Sequence, residues 1–118
     1  MKHLQLLTIV IAALLCITLV GNQAAATAPR YLKLTYQKQT NTLKVTILHF
    51  SPAMKIHYVY RVEIDKNGLV YQAHLYLRQP RIAFFSYTYN VTANPGDTLT
   101  ISAYCILWGF IQKSITVV

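Results

Sequence analysis

From residue 31 to the end of the chain, apolar side chains recur at every second position, in short runs separated by turn-forming residues. A period of two is that of a strand with one face buried. The runs cover residues 31–36, 43–50, 56–64, 69–77, 82–91, 99–105 and 110–117. Between them stand Gln39-Thr40-Asn41-Thr42, Ser51-Pro52, Gln79-Pro80, Asn94-Pro95-Gly96-Asp97 and Gly109, which favour turns or end strands. Asp65-Lys66-Asn67-Gly68 marks a tight hairpin, because Asn-Gly readily takes the positive φ angles such a turn requires. No 3.6-residue period of useful length follows the N-terminal segment. Seven short strands with regular turns predict an all-β fold, an immunoglobulin-like β-sandwich.

The N-terminal segment has another pattern. Lys2 precedes an almost unbroken apolar run over 6–20, then Gly21-Asn22-Gln23 and the small residues Ala24-Ala25-Ala26. That order matches a secretion signal. The run spans fifteen residues, whereas a membrane-spanning helix needs about twenty. The expectation is therefore a cleaved signal peptide over 1–26, with an uncleaved signal anchor as the alternative. Cys16 lacks the small residues that precede a lipoprotein cysteine and is not read as a lipid anchor. Residues 27–118 then form a single secreted, periplasmic or cell-surface domain.

Composition changes this picture in two ways. Losing residues 1–26 removes Lys2 and no acid, so ten Lys/Arg face only Glu63, Asp65 and Asp97, a net charge of +7. The basic residues are scattered, and no basic-aromatic recognition motif accompanies them, which argues against nucleic acid. Attraction to an anionic surface or partner is the broader expectation. Second, Cys105 is then the only cysteine. An internal disulfide is excluded, so the core must hold the domain.

Catalysis by a Ser/His/Asp arrangement or a Gly-rich phosphate loop finds no support in the spacing. The remaining chemistry is His49, His57, His74 and Cys105. Imidazole with thiolate suits iron, copper or zinc. By parity, His49 continues the buried face of Leu43, Val45 and Ile47, and Cys105 that of Leu99, Ile101 and Ala103. His57 falls on the face of Val59, Arg61 and Glu63, the polar one, and His74 among Gln72 and Tyr76 reads as exposed. Each residue also has an ordinary structural role open to it: a buried small thiol, or a surface histidine.

Two segments carry a resemblance. Residues 51–68, from Ser51-Pro52-Ala53-Met54 through His57-Tyr58-Val59-Tyr60-Arg61-Val62-Glu63-Ile64 to Asn67-Gly68, resemble the central motif of the superoxide reductase (desulfoferrodoxin iron-binding domain) family. That motif runs His-Pro-Met, a short loop, then His-Tyr-Ile-Glu-Trp-Ile-Glu and a turn ending in Gly. Further on, Tyr104-Cys105-Ile106-Leu107-Trp108-Gly109 resembles the family's Cys-Asn-x-His-Gly loop. The resemblance implies an immunoglobulin-like fold and a ferrous ion held by four histidines and one cysteine. His57 matches one histidine and Cys105 the cysteine. Ser51 stands where the histidine before Pro belongs, with His49 two residues earlier as the candidate replacement, and Trp108 replaces the histidine after the cysteine. The family's early Lys-His loop has no counterpart between Tyr31 and Thr42. A weaker resemblance, through the Asn-Gly hairpin and the closing Ile115-Thr116-Val117, is to the Z subunit of the bacterial Sox thiosulfate-oxidising system, a non-enzymatic scaffold.

Three functions follow as expectations. The first is a divergent metal-binding or redox-associated domain with His57, Cys105 and His49 as ligands. Iron would be its cofactor, an apo domain is the equal alternative, and full superoxide reductase activity is not expected. The second is a non-catalytic binding scaffold, and the third a surface-assembly subunit, each meeting a protein partner on a sheet face or edge. One distance separates them: ligands of one ion sit roughly 3–4 Å apart, given metal–ligand bonds near 2.0–2.3 Å.

Overall fold

The computed structural model describes residues 2–11 and 28–118. Residues 2–11 form a helix exposed along its whole length. Among the described residues, no helix is long and apolar enough to cross a membrane. Most of the apolar run, Cys16 and the Ala24-Ala25-Ala26 site lie outside the described residues.

Seven strands follow: β1 (Tyr31–Gln37), β2 (Thr42–Leu48), β3 (Val59–Lys66), β4 (Leu69–Leu75), β5 (Phe84–Asn90), β6 (Thr98–Cys105) and β7 (Phe110–Thr116). They form an immunoglobulin-like sandwich of two antiparallel sheets, one ordered β1-β2-β5 and the other β4-β3-β6-β7. Alternation places Leu43, Val45 and Ile47 of β2 against Ile64, Leu99 and Ile101 of the other sheet, all fully buried. The hairpin joining β3 to β4 turns on Asn67 (φ 54°) and Gly68 (φ 85°), the conformation that Asn-Gly adopts most cheaply. Asn67 also accepts a hydrogen bond from the Thr98 N–H (2.9 Å) and donates one to Asp97 Oδ1 (2.9 Å), tying this turn to the start of β6.

Two strands depart from the simple alternation. In β3 the pairing with β6 slips by one residue, from Val59↔Cys105 to Arg61↔Tyr104. A bulge of this kind exchanges the faces of the strand on its two sides. Val59 and Val62, of opposite parity, are therefore both fully buried. The strand begins only at Val59, so His57 belongs to the preceding loop and not to a polar strand face.

In β4 the expected faces are exchanged. Leu69, Tyr71, Leu75 and Leu77 are exposed, whereas Gln72, His74 and Tyr76 turn toward β5. The cause is a polar-aromatic closure of the gap between the two sheets. Tyr76 stacks on Tyr87 (4.2 Å, 7°), and its hydroxyl lies 2.6 Å from that of Tyr89. His74 stacks on Tyr89 (4.2 Å, 24°), and Gln72 Nε2 donates to the Asn90 carbonyl (2.8 Å). Aromatic rings with polar tips bury area and satisfy their hydrogen bonds together, which leucines at this border cannot do. His74 is thus half-buried, and desolvation lowers its pKa.

Candidate metal centre

Antiparallel pairing brings the end of β2, the start of β3 and the end of β6 to one end of the sandwich. His49 follows the last residue of β2, and its N–H donates to the Ala83 carbonyl (2.9 Å) just ahead of β5. Cys105 closes β6 opposite Val59, and His57 lies two residues before that pair. The result joins residues far apart in sequence and drawn from both sheets. His49, His57 and Cys105 each offer a ligand atom, and these atoms all lie within 4.8 Å of one another. The two imidazoles meet edge to face, with ring centroids 4.7 Å apart. His49 (1 % exposed) and Cys105 (5 % exposed) are buried, and His57 is half-buried.

The spread of 4.8 Å is about 1 Å wider than the donor spacing around a bound ion, a gap that small side-chain rotations close. The strand parity of His49 and Cys105 agrees with their burial; His57 reaches the group from a loop.

That loop is held by its backbone. The His57 N–H donates to the Ala53 carbonyl (2.8 Å), closing one turn. Ser51, fully buried, donates its hydroxyl to the His57 carbonyl. Ser51 therefore positions the backbone of a ligand candidate. On the other side, the Cys105 N–H donates to the Gly109 carbonyl (3.0 Å) and the Ile106 N–H to the Tyr58 carbonyl (3.0 Å). Gly109 has a φ of 68°, and a Cβ there would lie 3.1 Å from Ala28 Cβ. Glycine meets both demands of this turn. Trp108, at its tip, is 64 % exposed.

Gln79 is the residue that the sequence did not single out, reading only as a strand breaker before Pro80. It is fully buried at the centre. Its Nε2 donates to the carbonyls of His49 (2.7 Å) and Arg81 (2.9 Å), and its Oε1 accepts from the Val59 N–H (3.3 Å). Carbonyls only accept, so the amide has one orientation. The same Oε1 lies 2.7 Å from His49 Nδ1, which must then carry the proton. A neutral imidazole protonated at Nδ1 presents its lone pair for a metal at Nε2. No local sequence signal marks this role, because Gln79 lies 30 residues from His49 along the chain.

The five-ligand iron site implied by the resemblance does not fit these residues. Ser51 hydrogen-bonds to backbone, Trp108 faces outward, and among the described residues the group holds three donors and no carboxylate. Glu63 is instead paired with Arg61. His74 lies on the β4–β5 border and outside this group. What the arrangement offers is a compact, mostly buried set of two imidazoles and one thiol, suited to a single transition-metal ion.

No family model matches the sequence, and no curated protein matches it. Among solved structures, the chain is similar to a superoxide reductase (neelaredoxin) from Ignicoccus hospitalis, at 15% identity and a TM-score of 0.47, over 81% of this chain and 84% of that one.

Proposed function

We propose that this protein is an exported metal-binding protein that holds one transition-metal ion on His49, His57 and Cys105. The observation that carries the reading is the convergence of these three donors, from both sheets, within 4.8 Å. Gln79 supports it, since a metal-bound histidine usually donates its other ring N–H to a fixed oxygen acceptor, and Gln79 Oε1 takes that place here. With three donors and no ligand at Ser51 or Trp108, the centre binds or relays rather than performing superoxide reduction. Export rests on the order of Lys2, the apolar run and the small residues before the domain.

The test is metal content. The full chain, loaded and then passed over a desalting column, should retain one equivalent of a transition metal. Cys105→Ala and His57→Ala should each retain much less, by more than the roughly 10–100-fold loss of affinity that removing a ligand's supporting partner causes. Equal retention by Cys105→Ala would sink the proposal.

A further inference from the structure

We infer that the end of the sandwich carrying the candidate centre docks onto an anionic lipid membrane, its loop tips seated among the headgroups. The inference is independent of any bound ion and concerns the surface on which the folded domain rests.

Strand pairing gathers the parts. The pairs Tyr31↔Leu48, Leu48↔Phe84, Arg61↔Leu75, Val59↔Cys105 and Tyr104↔Phe110 bring loops 49–58, 76–83 and 106–109 to one end. Backbone bonds join these loops into a single surface. The Ser51 N–H donates to the Ile82 carbonyl (2.6 Å), the Gln79 N–H to the Met54 carbonyl (3.0 Å) and the Ile106 N–H to the Tyr58 carbonyl (3.0 Å). A surface fixed in this way loses little freedom on docking.

Loops are ordinarily polar, and these are not. Phe50, Ile56, Leu77, Ile82, Leu107 and Trp108 are all exposed here, Ile56 by 72 %. The turns at the opposite end, 38–41, 67–68 and 91–97, expose no large apolar side chain. Single exposed apolar residues are normal, whereas a group on adjoining loops marks a docking surface.

Charge identifies the partner. Lys55, Arg78 and Arg81 are exposed among the apolar tips, and the three loops contain no Asp or Glu. Lys55 and Arg78 line one shallow hollow with Pro52, Ala53 and Ile56, and Arg81 lines another with Pro80 and Phe84. All three acids of the chain lie elsewhere. Glu63 is bound to Arg61 within β3, Asp65 pairs across to Val70 and Thr100, and Asp97 is bound to Asn67 at the far hairpin. A protein interface gathers its apolar groups in a core depleted of lysine. Cations interleaved with aliphatic and aromatic tips suit the headgroup layer instead, where ammonium and guanidinium meet phosphate and tryptophan sits at the boundary with the acyl chains.

The course of the chain agrees. The Arg30 N–H donates to the Leu48 carbonyl (2.9 Å), so the chain enters the domain at this same end. The apolar run over 6–20 precedes that entry. A chain held in a membrane by that run, during export or as an anchor, therefore presents this end to it. His57 lies in one of the loops and Cys105 borders another, which puts the candidate centre at the docking end.

Trp108 is the only tryptophan of the chain, and it serves as the probe. The full chain, mixed with vesicles of equal parts phosphatidylglycerol and phosphatidylcholine, should show a blue-shifted Trp108 emission that brominated lipids quench. On phosphatidylcholine alone, the N-terminal segment can bind while Trp108 stays in water. The lipid concentration giving half of the shift should rise about fivefold in each of Lys55→Gln, Arg78→Gln and Arg81→Gln. Added salt should raise it as well, by screening. A tryptophan moved to the opposite end, by Thr40→Trp together with Trp108→Phe, should keep its emission unchanged. The inference is overturned by a Trp108 emission that does not respond to anionic vesicles. It is equally overturned by a shift as strong on phosphatidylcholine alone, after all three cation substitutions, or at Thr40→Trp. Metal retention is measured without lipid, so failure here leaves the metal-binding reading standing.

Discussion

At the scale of single residues, Gln79 ties three segments to one point, because one buried amide holds His49, Arg81 and Val59 together. Gln79→Met keeps the bulk and removes every side-chain hydrogen bond of this residue. The carbonyls of His49 and Arg81 lose their donor, at a cost of about 1–3 kcal/mol for each acceptor left unpaired. His49 also loses the group that fixes its proton on Nδ1. Nitrogen NMR of the metal-free protein should show His49 as the Nδ1–H tautomer in the wild type and as a mixture in Gln79→Met. Metal affinity should fall by about 10–100-fold. An unchanged His49 tautomer in the variant would remove Gln79 from this role. Periodicity made Cys105 and His49 legible as buried candidates, since each continues the alternation of its strand. It could not reveal Gln79, whose place depends on three loops meeting.

At the scale of elements, the border between β4 and β5 carries a pH response of its own. Burial, reinforced by the charge Tyr76 would carry, pushes the Tyr87 phenol up to about 12. Burial first, and then the hydrogen bond with Tyr76, pushes Tyr89 upward as well. Tyr76 moves the same way through burial. Each folded pKa is raised above the unfolded value near 10. Their contribution to stability is therefore complete below about pH 10 and is lost as pH rises through the folded values. Urea midpoints should hold level up to about pH 10 and fall beyond it, with a shallower fall in Tyr89→Phe. A midpoint equally steep in that variant would place the alkaline transition elsewhere. The same border shows what periodicity cannot see. Strand positions follow from alternation and turn residues, and each of the seven strands overlaps its predicted run, with β3 starting at Val59 rather than Ile56. The choice of buried face in β4 was decided by tyrosine and histidine tips finding partners across the gap. The flip in β3 came from a bulge, which leaves no mark in the hydrophobic pattern.

A second element-scale consequence concerns the turn after Cys105. Gly109 combines a positive φ with a Cβ position that lies 3.1 Å from Ala28 Cβ. Gly109→Ala must accept backbone strain of about 1–2 kcal/mol and push against Ala28 as well. Because the Gly109 carbonyl accepts from the Cys105 N–H, the displacement reaches a ligand. The variant should lose both thermal stability and metal affinity, whereas Gly68→Ala, strained at φ 85° with open space around it, should lose stability alone. Equal metal affinity in Gly109→Ala and wild type would show that the turn does not set the position of Cys105.

At the scale of the whole molecule, the centre is a clasp between two sheets. His49 extends β2 of one sheet, while Cys105 ends β6 of the other and His57 leads into β3 beside it. Among the described residues Cys105 is the free cysteine, buried and without a disulfide, so no covalent link joins the sheets at this end. An ion bound by all three ligands would supply that link only in the folded state, where the ligands meet. Mass action then gives the size of the effect. At a free-ion concentration about 1,000 times the dissociation constant, binding to the native state alone adds about 4 kcal/mol. For a domain of this size each kcal/mol raises Tm by roughly 4–8 °C. Loading should therefore raise Tm by about 15–30 °C, more with higher free ion, and the rise should vanish in Cys105→Ser and His49→Ala. An ion held by surface residues would raise Tm by the same amount in those variants, because it would not need the two sheets to stay together.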